Sequence, residues 1–281
     1  MSANRPVRLT VVRTEELAPS IRRVVLGGDE FDTFLARAQA LPQLYTDLYV
    51  KLVFLADGHD YPDPLDLDVV KQDMPQEAWP VLRTYTISDI DEDDRLVAID
   101  FVVHGDEGVA GPWAAAAQPG DTIHLRGPNG GYAPDPAADW HLFVGDEAGL
   151  PAIAASIDAL GPEATAVAFI EVDGPADEVD LRGPERLDLR WLHRGDAPAG
   201  TTSLLDDAVR ALDWRPGRVQ VFIHGESALL KSVRPYVLND RGVDRKDVSV
   251  SAYWRRGTTE EGFRVWKSQQ TEPAVMRPGA S

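Results

Sequence analysis

The sequence predicts two domains, an N-terminal antiparallel (Greek-key) β-barrel and a C-terminal α/β domain with a parallel sheet. Up to Pro134, β-rich runs are separated by turns and helical patterns are few. Beyond Asp139, short strands alternate with helices, which is typical of a parallel sheet. The 281 residues are enough for two domains of ordinary size. We expect domains at 1–136 and 137–267, followed by a flexible tail at 268–281.

Six runs rich in β-branched and aromatic residues make up the predicted barrel. They lie at 7–12, 21–26, 48–55, 82–88, 96–104 and 122–126. Residues 57–79 are rich in Asp and Pro, and we expect a long surface loop there. A short helix is predicted at 113–117.

The second half predicts strands and helices in alternation. The strands are expected at 141–144, 165–172, 189–193, 219–224 and 248–253. The helices are expected at 151–160, 201–212 and 227–239. Thr and Ser at the start of the second helix can cap it, and Pro235 can kink the third.

Composition limits the chemistry. The chain has no cysteine, which excludes disulfides, a thiol nucleophile and a cysteine-held metal centre. Its six histidines form no HExxH-type pair, so we expect no protein-held metal. Any redox chemistry would therefore need a bound organic cofactor.

Charge and hydropathy limit the partners and the location. The net charge of −18 disfavours binding to nucleic acid or to an anionic membrane face. No apolar run reaches the roughly 20 residues that cross a bilayer, and no secretory signal is visible. We expect a cytoplasmic monomer with no nucleic-acid partner and no stable membrane insertion.

The first motif is Arg83-Thr84-Tyr85-Thr86 on a predicted strand. The guanidinium of arginine can donate two parallel hydrogen bonds to a pyrophosphate, and tyrosine can stack on a flavin ring. Alternate residues of one strand share a face, so Arg83 and Tyr85 could do both on the barrel surface. Taken alone, the segment is more typical of an edge strand with an exposed arginine and a packed tyrosine.

The second motif joins the strand at 100–104 to a glycine-rich turn at 108–111 and Trp113. Glycines let a backbone approach a ligand closely, and the helix start that follows favours anions. A surface turn with a structural histidine is the alternative. Trp113 is expected to pack in the core under either interpretation.

Three turns follow strands of the α/β domain, at 145–149, 193–195 and 225–227. Ligands of parallel sheets bind beyond the carboxyl ends of the strands, which favours a nucleotide here. Arg194 could meet a ribose phosphate, whereas Glu171 and Asp173 could bond ribose hydroxyls. Ordinary strand-to-helix turns and a solvated arginine are the alternatives.

The last strand ends in Tyr253-Trp254-Arg255-Arg256-Gly257. The rings could cover a flavin or a nicotinamide, and the arginines place positive charge in an acidic chain. Closure of the sheet by the rings, with a solvated basic pair, is the alternative.

In their order, these segments resemble the siderophore-interacting protein family, a branch of the ferredoxin-reductase superfamily that includes FAD-dependent ferric-siderophore reductases. The resemblance covers about 7–267 and depends on 83–86, 104–113, 145–152 and 253–257. Two positions depart from the family pattern. Val109 stands where proline is common, and His224 stands where a small apolar residue is common.

The resemblance implies an N-terminal FAD domain and a C-terminal domain for NADPH or NADH. The implied FAD contacts are Arg83, Thr84, Tyr85, Thr86, Asp100, Val102, His104, Gly108, Ala110, Gly111, Trp113, Tyr253 and Trp254. The implied nicotinamide contacts are Gly145, Asp146, Glu147, Arg194, Gly225 and Glu226. Neither nucleotide is favoured over the other by the sequence.

The resulting hypothesis is a reductase that passes electrons from a nicotinamide through FAD to ferric iron in a siderophore. Candidates for the positive charge that attracts the anionic chelate are Lys51, Arg255 and Arg256. Another NAD(P)H–flavin reductase, serving free flavin or a protein acceptor, and a non-enzymatic siderophore-binding protein are the alternatives.

Overall fold

A computed structural model describes residues 5–103, 108–258, 262, 263, 266 and 269. The chain forms two compact units. The first comprises Met1–Pro134 with Ala154–Ala159 and Val179–Arg182, and the second holds the remaining residues. The predicted domain boundary after residue 136 stays a prediction. The predicted flexible tail lies almost wholly outside the described residues.

The first unit is a closed antiparallel barrel, as predicted. Its strands follow the order β1-β2-β5-β4-β3-β6, and β6 closes the barrel by pairing with β1. They are β1 (Val7–Ala18), β2 (Ile21–Gly27), β3 (Tyr49–Phe54), β4 (Val81–Asp91), β5 (Leu96–Val102) and β6 (Thr122–Asn129). A short helix, α3 (Ala110–Ala116), follows β5 and begins three residues earlier than predicted.

The barrel encloses an apolar core built by the alternating residues of its strands. Leu9, Leu52 and Leu125 contribute and are fully buried. A helix that the sequence interpretation missed, α1 (Phe31–Gln39), adds Phe31 and Phe34 to the same core. Because these rings are three positions apart, they lie on one helix face.

The segment 57–79 is not the structureless loop that we expected. It contains α2 (Leu67–Asp73) and a 3₁₀ turn at Gln76–Ala78. The Asp66 carboxylate caps α2 by accepting from the backbone N–H of Asp68 at 2.9 Å. Helix α2 also buries apolar side chains against the barrel strand β3, and this burial orders the segment despite its Asp and Pro content.

The second unit is a five-stranded parallel sheet, as predicted. Its strands are β7 (Trp140–Asp146), β8 (Thr165–Val172), β9 (Arg186–His193), β10 (Val219–Glu226) and β11 (Val248–Trp254). Their order is β11-β10-β7-β8-β9. The chain moves outward from β7 to β9 and then returns to β10 on the other side of β7. The carboxyl ends of β7 and β10 therefore form the topological switch point, where α/β sheets bind ligands.

Helices connect these strands with one departure from prediction. Helices α4 (Leu150–Asp158) and α5 (Leu204–Ala211) lie near their expected positions. The helix predicted at 227–239 is broken into a 3₁₀ turn, the short α6 (Val233–Pro235) and a π-helical turn at Tyr236–Asp240. Pro235 has no N–H to donate and its ring clashes with the carbonyl four residues earlier, so it kinks or breaks a regular α-helix.

Among the described residues, no helix has the length and apolarity needed to cross a membrane.

Candidate functional site

The motif at 83–86 lies in the middle of β4, between β3 and β5. Arg83 is only 8% exposed and donates from Nη1 to the Leu82 carbonyl at 3.1 Å. The expectation that it lies on the barrel surface is wrong. Strand alternation puts Arg83 on the same face as Val81 and Tyr85, which pack against the barrel core.

Tyr85 packs at one end of a chain of aromatic rings. Its ring centroid is 4.4 Å from that of Phe101, which lies 5.6 Å from the Trp113 centroid. Trp113 also meets Phe54 edge-on at 5.9 Å and packs against the barrel core, as predicted. Tyr85 is half-buried, so part of the residue remains accessible.

Asp100 has a structural partner that sequence reasoning missed. Arg23 binds its carboxylate with two parallel contacts, Nε to Oδ1 at 2.7 Å and Nη2 to Oδ2 at 2.8 Å. This pair ties β2 to β5 and occupies the carboxylate. The neighbouring Val102 is half-buried. Contact of either residue with flavin stays a prediction.

The turn before α3 is partly described. Gly108 has φ of +83°, a conformation that favours glycine, and a Cβ added there would meet nothing within 4 Å. Backbone conformation therefore accounts for Gly108. A Cβ added at Gly111 would contact only the Val102 carbonyl oxygen, at 3.7 Å, and Ala110 is buried in the barrel core. His104 lies outside the described residues.

The opposite face of β4 carries polar and basic groups. Thr84 is exposed and pairs with Lys51 on β3, which pairs in turn with Arg126 on β6. Directly paired residues of antiparallel strands share a face. A row of three residues therefore crosses these strands: Thr84, Lys51 and Arg126. We call it the basic row because two of its members are basic. Sequence reasoning missed Arg126 because only the strand register brings it beside Lys51.

These residues fit a flavin dinucleotide by their chemistry. The Arg83 guanidinium suits a pyrophosphate, and the ring of the half-buried Tyr85 suits a flavin. Thr84 and Thr86 add hydroxyl groups on the same strand. Among the described residues, no group of three or more His, Cys, Asp or Glu side chains could hold a metal ion.

At the switch point, Gly145 and Gly149 are explained by packing. A Cβ added at Gly145 would lie 2.5 Å from the His224 carbonyl oxygen and 2.8 Å from Cδ1 of Ile153. A Cβ added at Gly149 would also overlap the His224 carbonyl oxygen. Glycine at both positions lets the turn after β7 pack against the end of β10.

The carboxylate of Asp146 joins three strand ends. Oδ1 accepts from the backbone N–H of Ala148 at 3.0 Å and of Gly149 at 3.3 Å. Oδ2 accepts from the backbone N–H of Glu226 at 2.8 Å and from the Trp254 indole at 2.7 Å. Asp146 thus fixes the turn after β7 to the ends of β10 and β11. Its contact with a nicotinamide nucleotide stays a prediction.

Burial makes Asp146 titrate unusually. Desolvation, aided by the nearby Glu147 charge, raises the pKa of Asp146 to about 6, although the Trp254 and backbone hydrogen bonds lower it. The native value lies above the ordinary 3.8. The stability that Asp146 contributes is therefore fully present below about pH 4 and is lost as pH rises through about 6.

We expect the indole N–H resonance of Trp254 to titrate with a midpoint near pH 6, because its acceptor changes charge there. Two-dimensional ¹⁵N NMR from pH 4 to 8 measures this shift. The indole of Trp214, which stacks edge-on with Trp140 elsewhere in the second unit, serves as the reference. A Trp254 resonance as flat as that of Trp214 would contradict the assignment.

Glu226 is also engaged within the protein. Its carboxylate accepts from the Ala228 backbone N–H, from the Ser227 hydroxyl at 3.0 Å and from the Arg256 backbone N–H at 3.1 Å. Gly225 precedes it with φ of +154°, and a Cβ added there would lie 2.8 Å from the Asp146 carboxylate. Glu226 therefore binds the segment that follows β11, and glycine at position 225 leaves room for the Asp146 carboxylate.

Arg194 is held by acidic side chains. Its Nη2 lies 2.5 Å from Oε1 of Glu147 and 2.5 Å from Oδ1 of Asp173. The alternative of a solvated arginine is wrong, because the side chain is only 7% exposed. Burial opposes its charge, but the contacts with Glu147 and Asp173 raise the pKa of Arg194 above its ordinary value.

His224 is buried on one face of the sheet. Its ring stacks on Phe222 at 3.7 Å, meets Tyr253 edge-on at 5.0 Å, and pairs through Nε2 with the Ser249 hydroxyl at 3.0 Å. These contacts account for the bulk at a position where the family often has a small residue. Farther along, the Arg255 guanidinium lies 5.1 Å above the Trp266 ring.

Comparison with known proteins agrees with this architecture. Residues 10–132 match the siderophore-interacting FAD-binding domain, and residues 138–257 match the siderophore-interacting protein family. An uncharacterised protein of Mycobacterium tuberculosis is 50% identical over 96% of this chain and 98% of its own length. The ferric vibriobactin reductase ViuB of Vibrio cholerae is 30% identical over 92% of each chain.

Solved structures agree with these matches. A siderophore utilization protein from T. fusca is 37% identical and superposes with a TM-score of 0.76 over 90% of this chain and 94% of its own. A ferredoxin–NADP⁺ reductase from Plasmodium falciparum, 12% identical, superposes with a TM-score of 0.60 over 90% of this chain and 98% of its own. At that identity only the fold is shared. The chain therefore belongs to the siderophore-interacting protein family, carries its FAD-binding domain and has the ferredoxin-reductase fold.

Proposed function

We propose that this protein is an FAD-dependent ferric-siderophore reductase that takes its electrons from NADPH or NADH. The observation that carries the proposal is the pair Arg83 and Tyr85 on β4, within the matched FAD-binding domain. The name of the ViuB relative, a ferric vibriobactin reductase, supports a ferric chelate as substrate. Release of ferrous iron in the cytoplasm, by a monomer, is part of the proposal.

Bound FAD would supply the conversion between a two-electron hydride donor and a one-electron ferric acceptor. Arg83 would bind its pyrophosphate, and Tyr85 would orient its ring system. The chain needs no iron ligand of its own, because the siderophore holds the metal.

The basic row suits attraction of the chelate. The proposed ligand, a ferric siderophore, is an anionic chelate. The chain has a net charge of −18 and would therefore repel it. Local positive charge is therefore needed to overcome the field of the whole protein. Lys51 and Arg126, adjacent on β3 and β6, supply it, and Arg255 and Arg256 are further candidates.

The switch point suits the nicotinamide nucleotide. The ends of β7 and β10 lie where parallel sheets bind nucleotides, and the Asp146 hydrogen bonds fix both ends. Asp146 and Glu226 are positioning residues in this proposal, because their carboxylates are occupied by groups of the protein.

Steady-state kinetics with ferric chelates and with free flavin as acceptors test the proposal. We expect kcat/KM for a ferric siderophore to exceed that for free FMN or riboflavin. A much larger value for free flavin would favour a general flavin reductase. Purified protein without flavin absorbance, and unable to take up added FAD, would favour a siderophore-binding protein. Either result would overturn the proposal.

The basic row predicts that substrate binding depends on the charges of Lys51 and Arg126. We expect the double variant Lys51→Gln/Arg126→Gln to raise KM for an anionic ferric chelate roughly tenfold, with kcat changed much less. Arg13→Gln, which removes a surface charge on β1, is the control. An unchanged KM in the double variant would exclude the row as the chelate site.

A further inference from the structure

The second unit presents acidic groups where an adenosine ribose would lie. In nucleotide-binding sheets, an acidic residue about 20 residues beyond the glycine turn, at the end of the second strand, bonds the ribose hydroxyls. Here the glycine turn follows β7. The next strand, β8, has Glu171 as its penultimate residue and is followed by Asp173. Glu171 is buried and accepts from the Thr202 hydroxyl at 2.6 Å.

Arg194 follows β9 beside these residues. Its backbone N–H donates to the Val172 carbonyl at 3.0 Å, which aligns the segments after β8 and β9. Its Nη2 lies between the carboxylates of Glu147 and Asp173, and its Nε and Nη1 are buried. A ligand cannot reach the guanidinium unless this arrangement opens.

Among Glu147, Asp173 and Arg194, the side chain that a ligand can reach is the carboxylate of Asp173. Glu147 and Arg194 have side chains that are 6% and 7% exposed, whereas the Asp173 side chain is 53% exposed. A carboxylate can accept hydrogen bonds from ribose hydroxyls but repels a phosphate dianion. Arg194, the one cation among Glu147, Glu171, Asp173 and Arg194, is already neutralised by two acidic partners.

We propose that Asp173 selects NADH over NADPH as the electron donor. Arg194 contacts Asp173 and is itself held by Glu147. The inference rests on the proposed function, because it specifies the nucleotide used by the same site. Asp173 would bond the ribose hydroxyls of the adenosine, and its charge would exclude a 2′-phosphate. Arg194 would hold Asp173 in place and would not itself bind the nucleotide.

The direct test is calorimetric titration of the FAD-loaded protein with ADP-ribose and with its 2′-phosphorylated analogue. We expect ADP-ribose to bind at least roughly tenfold more tightly. Asp173→Asn removes the repelling charge and keeps a hydrogen-bond acceptor. It should therefore narrow the preference by about tenfold, chiefly by tightening the 2′-phosphorylated ligand. The ratio of the rates of anaerobic flavin reduction by NADH and by NADPH should fall in Asp173→Asn, in parallel with the ratio of affinities.

Glu163→Gln is the matched control. Glu163 also pairs with an arginine, Arg186 at 2.7 Å, but at the opposite end of β8 and β9. It removes the same charge and should leave the ratio unchanged. An equal change in the affinity ratio in both variants would overturn the inference. It would show that the net charge of the protein, and not the position of Asp173, sets the ratio.

The outcomes separate the inference from the proposed function. Equal or tighter binding of the 2′-phosphorylated ligand to the unmodified protein would overturn the nucleotide preference alone. Failure of both ligands to bind, with failure of both NADH and NADPH to reduce the flavin, would overturn the proposed function as well. Flavin reduction by NADPH as fast as by NADH would also contradict the inference.

Discussion

Arg83→Ala is expected to lose most of its bound FAD while the chain stays folded. The substitution removes the buried guanidinium of Arg83, which lies on the same face of β4 as Tyr85 within the FAD-binding domain. Charge-assisted hydrogen bonds contribute about 1.5–3 kcal/mol, so the Kd for FAD should rise roughly ten- to hundredfold. Flavin absorbance per protein after gel filtration, and titration of the apoprotein with FAD, measure the change.

Two further variants make this result interpretable. Arg83→Lys keeps the positive charge but lacks the planar guanidinium that donates two parallel hydrogen bonds. It should therefore bind FAD with intermediate affinity. It also addresses the burial of Arg83, since lysine leaves a smaller void than alanine. Arg13→Ala, on the exposed surface of β1, should retain full FAD. Full FAD retention in folded Arg83→Ala would refute the assignment of this arginine to the flavin.

Gly149→Ala is expected to destabilise the second unit by roughly 3 kcal/mol, because the added methyl group would overlap the carbonyl of His224. The carbonyl of His224 belongs to the backbone near the end of β10, so it cannot move away as a flexible side chain could. Urea unfolding followed by the fluorescence of the second unit's tryptophans measures the loss.

Gly161→Ala is the matched control for this effect. Gly161 follows α4, has no positive φ, and an added Cβ there meets nothing within 4 Å. Its substitution should leave stability unchanged or slightly raised. If Gly149→Ala unfolds at the same urea concentration as Gly161→Ala, then the turn after β7 does not need glycine for packing.

The strands were predictable because their burial leaves a local pattern. Runs such as 165–172 carry β-branched and aromatic residues, and β8 has those bounds. Helices α1 and α2 were missed for a physical reason. Each is short and lies next to acidic or turn-forming residues, so its stability comes from burying Phe34 or Val70 rather than from local propensity.

The candidate site was predictable only in part. Arg83 and Tyr85 stand in one short motif, so their shared strand face could be inferred. The Asp146–Trp254 hydrogen bond joins residues 108 positions apart. It depends on the placement of β11 beside β10, which the sequence does not encode locally. The same holds for Arg194, whose partners Glu147 and Asp173 follow two other strands of the sheet.

Anaerobic turnover of the FAD-loaded protein with a reduced nicotinamide and a ferric siderophore tests the central proposal most directly. Ferrous iron is trapped by a colorimetric chelator while nucleotide oxidation is followed by absorbance. We expect twice as many ferrous ions as nucleotides oxidised, because a hydride carries two electrons and each ferric ion accepts one. Arg83→Ala should lose this activity, and added FAD should restore it. Nucleotide oxidation without ferrous iron release, across hydroxamate and catecholate chelates, would contradict the account.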